Sequence, residues 1–312
     1  MQIDLGNSFW EQDDMYFLSK SFSSSQAGSV KFGLGVFSVL CSYLFSGMAW
    51  QSSGRTHEEL IHNLYKNKVI VTEKIKNAML AVDRAYFTKS DPYEDRPLSI
   101  GCNATISAPH MHAHALEALC DNLNPGAHVL DVGSGSGYLT ACMALLVGED
   151  GVAVGIEHIE NLTSFAKANI ANWLEHADKE RVAHITFGKN LQLVTGDGRE
   201  GWTPAAPYDA IHVGAAAAKI PTALYEQLKP GGRLICPEGP AGGNQFLVQV
   251  DRLPDGSFKR THLMGVIYVP LTDRDRQLGI GPKSGAGKCP HRTRIIWHLL
   301  VLCHVLGELF MV

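Results

Sequence analysis

Apolar residues recur at helical spacing in the first regular part of the chain, from about Glu58 onward. Two such stripes are Ile75, Ala78, Met79 and Val82, and then Leu116, Leu119, Cys120 and Leu123. Pro125 and Gly126 end the second stripe, because proline and glycine cannot continue a helix without cost. The pattern therefore predicts a helical cap on the N-terminal side of the domain.

After this cap, apolar runs of strand length alternate with further helical stripes. The predicted strands are Val129–Val132, Val152–Glu157, Leu191–Thr195, Ala210–Val213, Arg233–Cys236, Phe246–Val250 and Gly265–Val269. Alternation of strands and helices is typical of a parallel sheet covered on both faces. Asp255-Gly256 is a hairpin signal between the last two runs, so the sheet is expected to end antiparallel. The fold class is α/β: a doubly wound, mostly parallel, Rossmann-like sheet.

The two ends of the chain differ from this regular middle. Residues 1–47 contain the run Ser21–Ser25 and no sustained period, which predicts a disordered extension. The domain is expected over 48–277, and 278–312 is an atypical tail. Apolar stretches at Phe32–Phe45 and Ile295–Val312 are too short or too polar for a bilayer, so no membrane partner is expected.

Composition narrows the function classes. The formal net charge of −4 gives no electrostatic footprint for nucleic acid, so none is expected as a partner. Seven cysteines without a CxxC pair argue against a disulfide framework and a zinc site. We expect a reducing, cytoplasmic location, no metal, and at least two cysteines in the core as small apolar residues.

A glycine-rich segment follows the first predicted strand of the sheet. Gly133, Gly135 and Gly137 lie two residues apart and lead into a helix, where backbone N–H groups can face a ligand. In isolation a plain strand-to-helix turn explains such a motif equally well. Asp131, two residues earlier, would repel a pyrophosphate and suit an ammonium group. The spacing therefore favours S-adenosylmethionine, which carries an amino group and no phosphate, over a dinucleotide.

Two further carboxylates end the next strands. Glu157 stands where a carboxylate receives ribose hydroxyls, and Asp197-Gly198 is placed to accept from an adenine amino group. An ordinary Asp-Gly turn remains an alternative for the second position. Open α/β sheets bind ligands at the carboxyl ends of their strands, so acidic turns at successive strand ends indicate one site.

With these residues in place, the chain resembles the protein-L-isoaspartate (D-aspartate) O-methyltransferases over about residues 48–277. The strings that carry the resemblance are Ser99-Ile100-Gly101, Ala104 to His112, Leu130 to Gly137, Gly196-Asp197-Gly198, Tyr208 to Ile211, Leu228 to Leu234 and Pro240 to Gln245. Several strings occur in the same order as in that family. The resemblance implies the class I methyltransferase fold and S-adenosyl-L-methionine as cofactor.

The resemblance also implies the site residues. Ser107 matches the family's active-site serine. The cofactor-binding residues that the motifs and the resemblance together predict are Ala104, Thr105, Ile106, Ser107, His112, Asp131, Gly133, Ser134, Gly135, Gly137, Glu157, His158, Asp197, Gly198, Thr272 and Gln277. The family often has Asp where this chain has Glu157, and either carboxylate can receive two hydroxyls. His112 is as readily structural as cofactor-facing.

The implied activity is methylation of the free carboxyl group of L-isoaspartyl and D-aspartyl residues in age-damaged proteins and peptides, by a protein expected to act as a monomer. The sequence places no His and Asp beside Ser107 to make it a hydrolase nucleophile. A substrate carboxylate, with a reference pKa of about 4, is already ionised and needs no base. Ser107 is therefore expected to donate a hydrogen bond that orients it.

Three features depart from the family pattern. An extension precedes Met48, extra sequence lies between about His176 and Asn190 and predicts a surface loop, and the tail after Gln277 is foreign. A replaced ending would weaken cofactor binding without loss of the fold, which calorimetry on a chain truncated after Gln277 would test. Alternatives are a methyltransferase for another substrate, although no Asn/Asp-Pro-Pro-aromatic string follows the fourth strand, and a catalytically weakened binding protein.

Overall fold

The structure is a computed structural model, and it describes residues 52–280. The predicted disordered extension over 1–47 lies outside the described residues, as does the start of the domain at Met48. Of the atypical tail predicted over 278–312, residues 281–312 also lie outside them. No helix within residues 52–280 has both the length and the apolar character that crossing a bilayer requires.

A seven-stranded sheet forms the centre of the molecule, in the order β5-β4-β3-β6-β7-β8-β9. Its strands are β3 (His128–Val132), β4 (Val152–Glu157), β5 (Leu191–Thr195), β6 (Tyr208–Val213), β7 (Leu228–Glu238), β8 (Gln245–Arg252) and β9 (Phe258–Val266). The pairs among β5, β4, β3, β6 and β7 are parallel, and β8 and β9 are antiparallel. The predicted class, a doubly wound α/β sheet with an antiparallel end, is confirmed.

Helices cover the sheet and build the cap. They are α1 (His57–Lys66), α2 (Glu73–Ala81), α3 (Pro109–Leu119), α4 (Tyr138–Val147), α5 (Glu160–His176), α6 (Lys179–Val182), α7 (Thr222–Glu226) and α8 (Arg274–Leu278). Short 3-10 turns are Arg84–Phe87, Cys120–Asn122, Gly198–Glu200 and Thr203–Ala205. The predicted N-terminal helical cap is thus present, and α6 occupies part of the segment that the sequence predicted as a loop.

The central strands are buried on both faces. Val129 on β3 packs into one core cluster, and its neighbour Leu130 packs into the other. Because side chains alternate along a strand, this places one hydrophobic layer on each side of the sheet. Cys142 and Cys236 are buried free thiols in the core, as expected for two of the cysteines.

The last strand differs from the prediction of Gly265–Val269. Pairing with β8 runs from Arg252 opposite Phe258 to Gln245 opposite Val266, so β9 starts two residues after Gly256. All nine residues of β9 are exposed or half-buried. Apolar and polar residues alternate clearly only in a strand with one buried face, so the sequence pattern could not locate β9. The chain then leaves the sheet, and Pro270 pairs with Ala216 beyond β6.

A two-stranded hairpin, which the strand pattern did not predict, stands before α3. It consists of β1 (Leu98–Gly101) and β2 (Ala104–Ile106), joined through Cys102 and Asn103. Both linking residues have positive φ, at 51° and 54°, as a tight two-residue hairpin loop requires. The hairpin carries Thr105 and leads directly to Ser107.

Candidate active site

A pocket opens at the carboxyl ends of β3, β4 and β6, the edge where α/β sheets bind ligands. Its walls are the hairpin, the glycine loop, two strand-end carboxylates and the segment after β9. The lining residues are Ala104, Thr105, Val132, Gly133, Gly135, Ile156, Glu157, His158, Asp197, Gly198, Gly214, Ala215, Val269, Pro270, Leu271, Thr272 and Gln277. Ten of the predicted site residues are therefore brought together here.

The glycine loop is held against the end of β4. The N–H groups of Gly133 and Ser134 donate to the carbonyl of Ile156, at 2.9 and 3.2 Å. Gly133 and Gly135 have φ values of 75° and 51°, which residues with a side chain rarely adopt. The loop therefore exposes backbone to the pocket.

Glu157 ends β4 with its carboxylate against the glycine loop. One oxygen accepts from Gly135 N–H at 3.2 Å, and the other accepts from Ile159 N–H at 3.1 Å. Only 6% of the residue is exposed. Burial raises the pKa of the Glu157 carboxyl, although these N–H groups and His158 oppose the rise. A ligand's hydroxyl groups would replace part of the lost hydration.

Asp197, at the end of β5, is tied to Arg199. The guanidinium of Arg199 donates to both carboxylate oxygens at 2.7–3.0 Å, and its Nη2 also donates to Asp273 at 2.8 Å. These bonds with Arg199 hold the pKa of Asp197 below its usual value, so it is ionised at neutral pH. Arg199 thereby joins Asp197 to Asp273, which follows the lining residue Thr272 in the segment after β9.

Gln277 closes the pocket from the side of the segment after β9. Its Oε1 lies 2.9 Å from Nε2 of His158, and its Nε2 donates to the carbonyl of Cys102 at 3.0 Å. Asn103 donates back to the Gln277 carbonyl at 2.7 Å. One side chain thus joins the end of β4 to the β1–β2 hairpin.

The charge of the lining distinguishes two ligand classes. Among the residues that line the pocket, Glu157 and Asp197 are acidic, and there is neither a lysine nor an arginine. Arg199, outside the lining, neutralises part of the Asp197 charge, and the negative charge that remains with Glu157 disfavours a pyrophosphate and suits a ligand that carries positive charge. The acidic lining therefore suits S-adenosylmethionine, which carries a sulfonium and an ammonium group.

Asp131 is not part of this lining. Its carboxylate is buried, and it accepts from the hydroxyl of Thr140 at 2.6 Å and lies 2.8 Å from Nδ1 of His212. The β3–β6 register sets Asp131 opposite His212 on one face of the sheet, where Thr140 of α4 also reaches the carboxylate. The structure thus places Asp131 behind the pocket, and its contact with a ligand ammonium stays a prediction.

Ser107 lies just beyond the pocket, two residues after Thr105. Its backbone carbonyl accepts from Nη2 of Arg84 at 2.9 Å. Burial raises the pKa of the nearby Tyr268 phenol, and the Ser107 side chain opposes the rise, so the phenol stays protonated. Tyr268 is the residue before the lining residue Val269. Gln245 fixes Tyr268 by accepting from its N–H at 2.7 Å. Ser107 and Tyr268 therefore border the same end of the pocket.

His112 and Ile106 face the protein interior. The His112 ring lies against Tyr138, with centroids 4.9 Å apart, and burial lowers the pKa of this imidazole well below its usual value. Ile106 is buried in the core. Of the two open possibilities for His112, the structural one describes its position.

Two loop residues also stand behind the pocket surface. Ser134 is 8% exposed, and its hydroxyl has no partner among residues 52–280. Gly137 has a φ of 84°, and a Cβ there would lie 3.2 Å from Ala166 on α5. Gly137 is therefore needed for close packing of the helices, whereas the unpaired Ser134 hydroxyl is a group that a ligand could use.

Sequence reasoning missed several parts of the lining. Gly214 and Ala215 follow β6, and the sequence rule that strand ends form the site could have included them. Val269, Pro270 and Leu271 had been predicted as part of a strand or left unassigned. Within residues 52–280, no three His, Cys, Asp or Glu side chains are grouped to hold a metal ion.

Comparisons with known proteins agree with this geometry. Residues 55–276 match the family model described as protein-L-isoaspartate(D-aspartate) O-methyltransferase. A protein-L-isoaspartate O-methyltransferase of Caenorhabditis elegans is 48% identical over 230 residues, covering 74% of this chain and 98% of the relative. One from Arabidopsis thaliana is also 48% identical, over 231 residues, covering 73% of this chain and 96% of the relative.

A solved structure is similar over the same region. It is a protein-L-isoaspartate O-methyltransferase from Plasmodium falciparum in complex with S-adenosyl-L-homocysteine. The TM-score is 0.62 at 33% identity, and the match covers 70% of this chain and 99% of that one. The family match over residues 55–276 thus covers nearly all of the described residues, 52–280.

Proposed function

Because the chain belongs to the protein-L-isoaspartate(D-aspartate) O-methyltransferase family, we propose that its acidic pocket binds the cofactor and that Ser107 orients the substrate carboxylate beside it. The activity is S-adenosylmethionine-dependent methylation of the free carboxyl group of isoaspartyl residues in damaged proteins. The residue assignments below are our proposal.

The observation that carries the proposal is the lining with two carboxylates and no lysine or arginine. Glu157 would receive the ribose hydroxyls, and Asp197 would receive the adenine amino group. The backbone of Gly133 and Gly135 would approach the methionine part closely, and Thr272 and Gln277 would close over it. When bound, S-adenosylmethionine would supply an electrophilic methyl group.

Ser107 contributes orientation. The substrate carboxylate is ionised near neutral pH, so one of its oxygens attacks the methyl carbon directly, and the carbon–sulfur electron pair returns to sulfur. The Ser107 hydroxyl would donate to the carboxylate and align it for this transfer, an effect that can reach about 7–11 kcal/mol for a well-oriented pair. The methyl ester carbonyl is attacked more readily than a carboxylate, because its methoxide can leave as methanol. The neighbouring amide nitrogen can therefore close a succinimide, which hydrolyses partly to normal aspartate.

We further propose that the protein works in the cytoplasm and as a monomer. The free thiols of Cys102, Cys120, Cys142 and Cys236 support a reducing compartment. Fluorescent tagging of the full chain would test the location, and sedimentation would test the oligomeric state. A disulfide-linked or dimeric form would contradict these two assignments.

Methyl transfer from labelled cofactor to an isoaspartyl peptide tests the proposal, with the normal aspartyl peptide as control. Ser107→Ala is expected to lower kcat/KM about 10- to 100-fold, the range for loss of a hydrogen bond to a charged group. Ser99→Ala, at an exposed position on β1 of the same hairpin, is the matched control. Equal activity of the two variants would remove Ser107 from the site.

A further inference from the structure

Arg84 is an arginine in the interior of the protein, directly behind Ser107. It starts the 3-10 turn Arg84–Phe87 after α2, and its exposed fraction is 0%. Arginines are almost never fully buried unless a partner neutralises them. The surroundings of this guanidinium therefore need an explanation.

The contacts of Arg84 are with neutral groups. Nη2 donates to the Ser107 carbonyl at 2.9 Å, and Nη1 lies 3.5 Å from Nδ1 of His112. The guanidinium carbon is 5.8 Å from the ring centre of Tyr138. Nε has no hydrogen-bond partner among residues 52–280. None of these groups carries negative charge.

The described part of the chain supplies no carboxylate within 4.0 Å of Arg84. Asp95 acts on it from a greater distance, and one Asp95 oxygen accepts from the N–H of His110 and contacts its ring at 2.8 Å. Burial lowers the pKa of Arg84 to about 10, so the group remains a cation at neutral pH. The protein therefore keeps an uncompensated positive charge here, which costs stability.

We propose that Arg84 is a positioning residue for the substrate-carboxylate site. Its hydrogen bond holds the Ser107 carbonyl, and its positive charge, directly behind Ser107, favours a carboxylate at that site. This inference rests on the proposed role of Ser107. Loss of stability at an unpaired buried group is typical of functional sites. A carboxylate that binds Ser107 arrives next to the peptide that Arg84 holds, and it supplies the missing negative charge. Arg84 also fixes the backbone from which the Ser107 hydroxyl projects.

The test compares a charged ligand with a neutral one of the same shape. An isoaspartyl peptide and the corresponding isoasparaginyl peptide, whose free carboxylate is replaced by an amide, are titrated into the full chain with S-adenosylhomocysteine present. The wild type is expected to prefer the carboxylate peptide about tenfold or more. Arg84→Met is expected to lose most of this preference and to raise KM more than it lowers kcat.

Arg84→Lys is expected to restore part of the preference, because it returns a charge without the paired donors. Arg55→Met, at an exposed arginine on the cap, is the matched control and should behave as wild type. S-adenosylhomocysteine affinity should change little in every variant. If Arg84→Met does not melt cooperatively, the comparison is made on Arg84→Lys, which should then show a reduced preference.

A full preference in folded Arg84→Met, or in Arg84→Lys where only that variant folds, would overturn the inference. Failure of the proposed function would look different. In that case the wild type itself would bind both peptides equally, or Ser107→Ala would leave both peptide affinity and methyl transfer unchanged. The Arg84 variants therefore test the role of Arg84, whereas the wild type and Ser107→Ala test the proposed function.

Discussion

Asp131 and His212 form a buried pair across the centre of the sheet, with Oδ1 and Nδ1 2.8 Å apart. They are register partners on β3 and β6, and the second Asp131 oxygen accepts from Thr140 on α4. The carboxylate therefore ties β3, which ends at the glycine loop, to α4, which begins after the loop, and to the neighbouring strand β6. Its contribution to the pocket is the placement of that loop.

Replacing Asp131 by Asn should destabilise the fold more than it weakens cofactor binding. The amide keeps one acceptor oxygen but places an NH2 group against either Thr140 or His212. A broken buried hydrogen bond of this kind costs about 1–3 kcal/mol in the free energy of unfolding. Urea unfolding would measure it, with the exposed Asp150→Asn as control. Unchanged stability combined with lost S-adenosylhomocysteine binding would instead put the carboxylate on the ligand.

Glu157→Gln should show the opposite pattern. The raised pKa of Glu157 means that its ionised form is disfavoured in the folded protein. Its stabilising contribution is present below the ordinary glutamic pKa and is lost as pH rises through the folded value. At neutral pH the substitution removes this disfavoured buried charge, which offsets the acceptor lost to Gly135 or Ile159 N–H. The unfolding free energy should therefore stay within about 1 kcal/mol or rise.

Cofactor affinity should fall about tenfold or more in Glu157→Gln, because hydrogen bonds to a charged acceptor are worth about 1.5–3 kcal/mol. Calorimetry with S-adenosylhomocysteine measures this, and Glu175→Gln at the far end of α5 is the control. In the wild type the affinity should weaken as pH falls through the raised pKa. A pH-independent affinity shared by both proteins would show that the ribose does not use this carboxylate.

Gln277→Ala should weaken cofactor binding with little effect on the melting temperature. The side chain bonds to His158 and to the Cys102 carbonyl, and both bonds lie at the pocket edge. Each such bond is worth about 0.5–1.5 kcal/mol net, so an affinity loss of about five- to tenfold is expected. Gln192→Ala, on β5, loses a bond at the surface only and serves as control. Equal affinities in a titration with S-adenosylhomocysteine would refute the closing role.

The sequence predicted the central strands well because burial on both faces leaves a strong signal. The observed bounds of β4 and β5 match the predicted Val152–Glu157 and Leu191–Thr195. β9 was misplaced because an exposed edge strand has no apolar face to alternate. The β1–β2 hairpin was missed because its strands are short and Cys102 is an unusual residue at positive φ.

For the site, strand-end logic predicted Asp131, Glu157 and Asp197 together, and the structure places Glu157 and Asp197 in the lining and Asp131 behind it. The sequence shows which residue ends a strand, whereas the side chain's direction depends on the β3–β6 register. Arg84 was missed for a different reason: one arginine after a helix carries no local pattern. Its meaning comes only from complete burial beside Ser107, which tertiary packing decides.

His112 should make the stability of the protein fall as the pH drops below the ordinary histidine pKa of 6.5. Burial lowers its pKa well below the usual 6.5, with Arg84 as the next cause, so the folded state stays neutral where the unfolded chain takes up a proton. The contribution to stability is present above the unfolded pKa and is lost as pH falls toward the folded value, by at most about 1.4 kcal/mol per pH unit for one proton. His114, whose pKa burial also lowers, adds to this slope.

His112→Gln should have a flatter profile of unfolding free energy against pH, whatever its melting temperature. His62→Gln, at an exposed position, should keep the wild-type slope. Urea titrations at several pH values would give both slopes, and identical slopes in the two variants would mean that His112 is protonated in the fold.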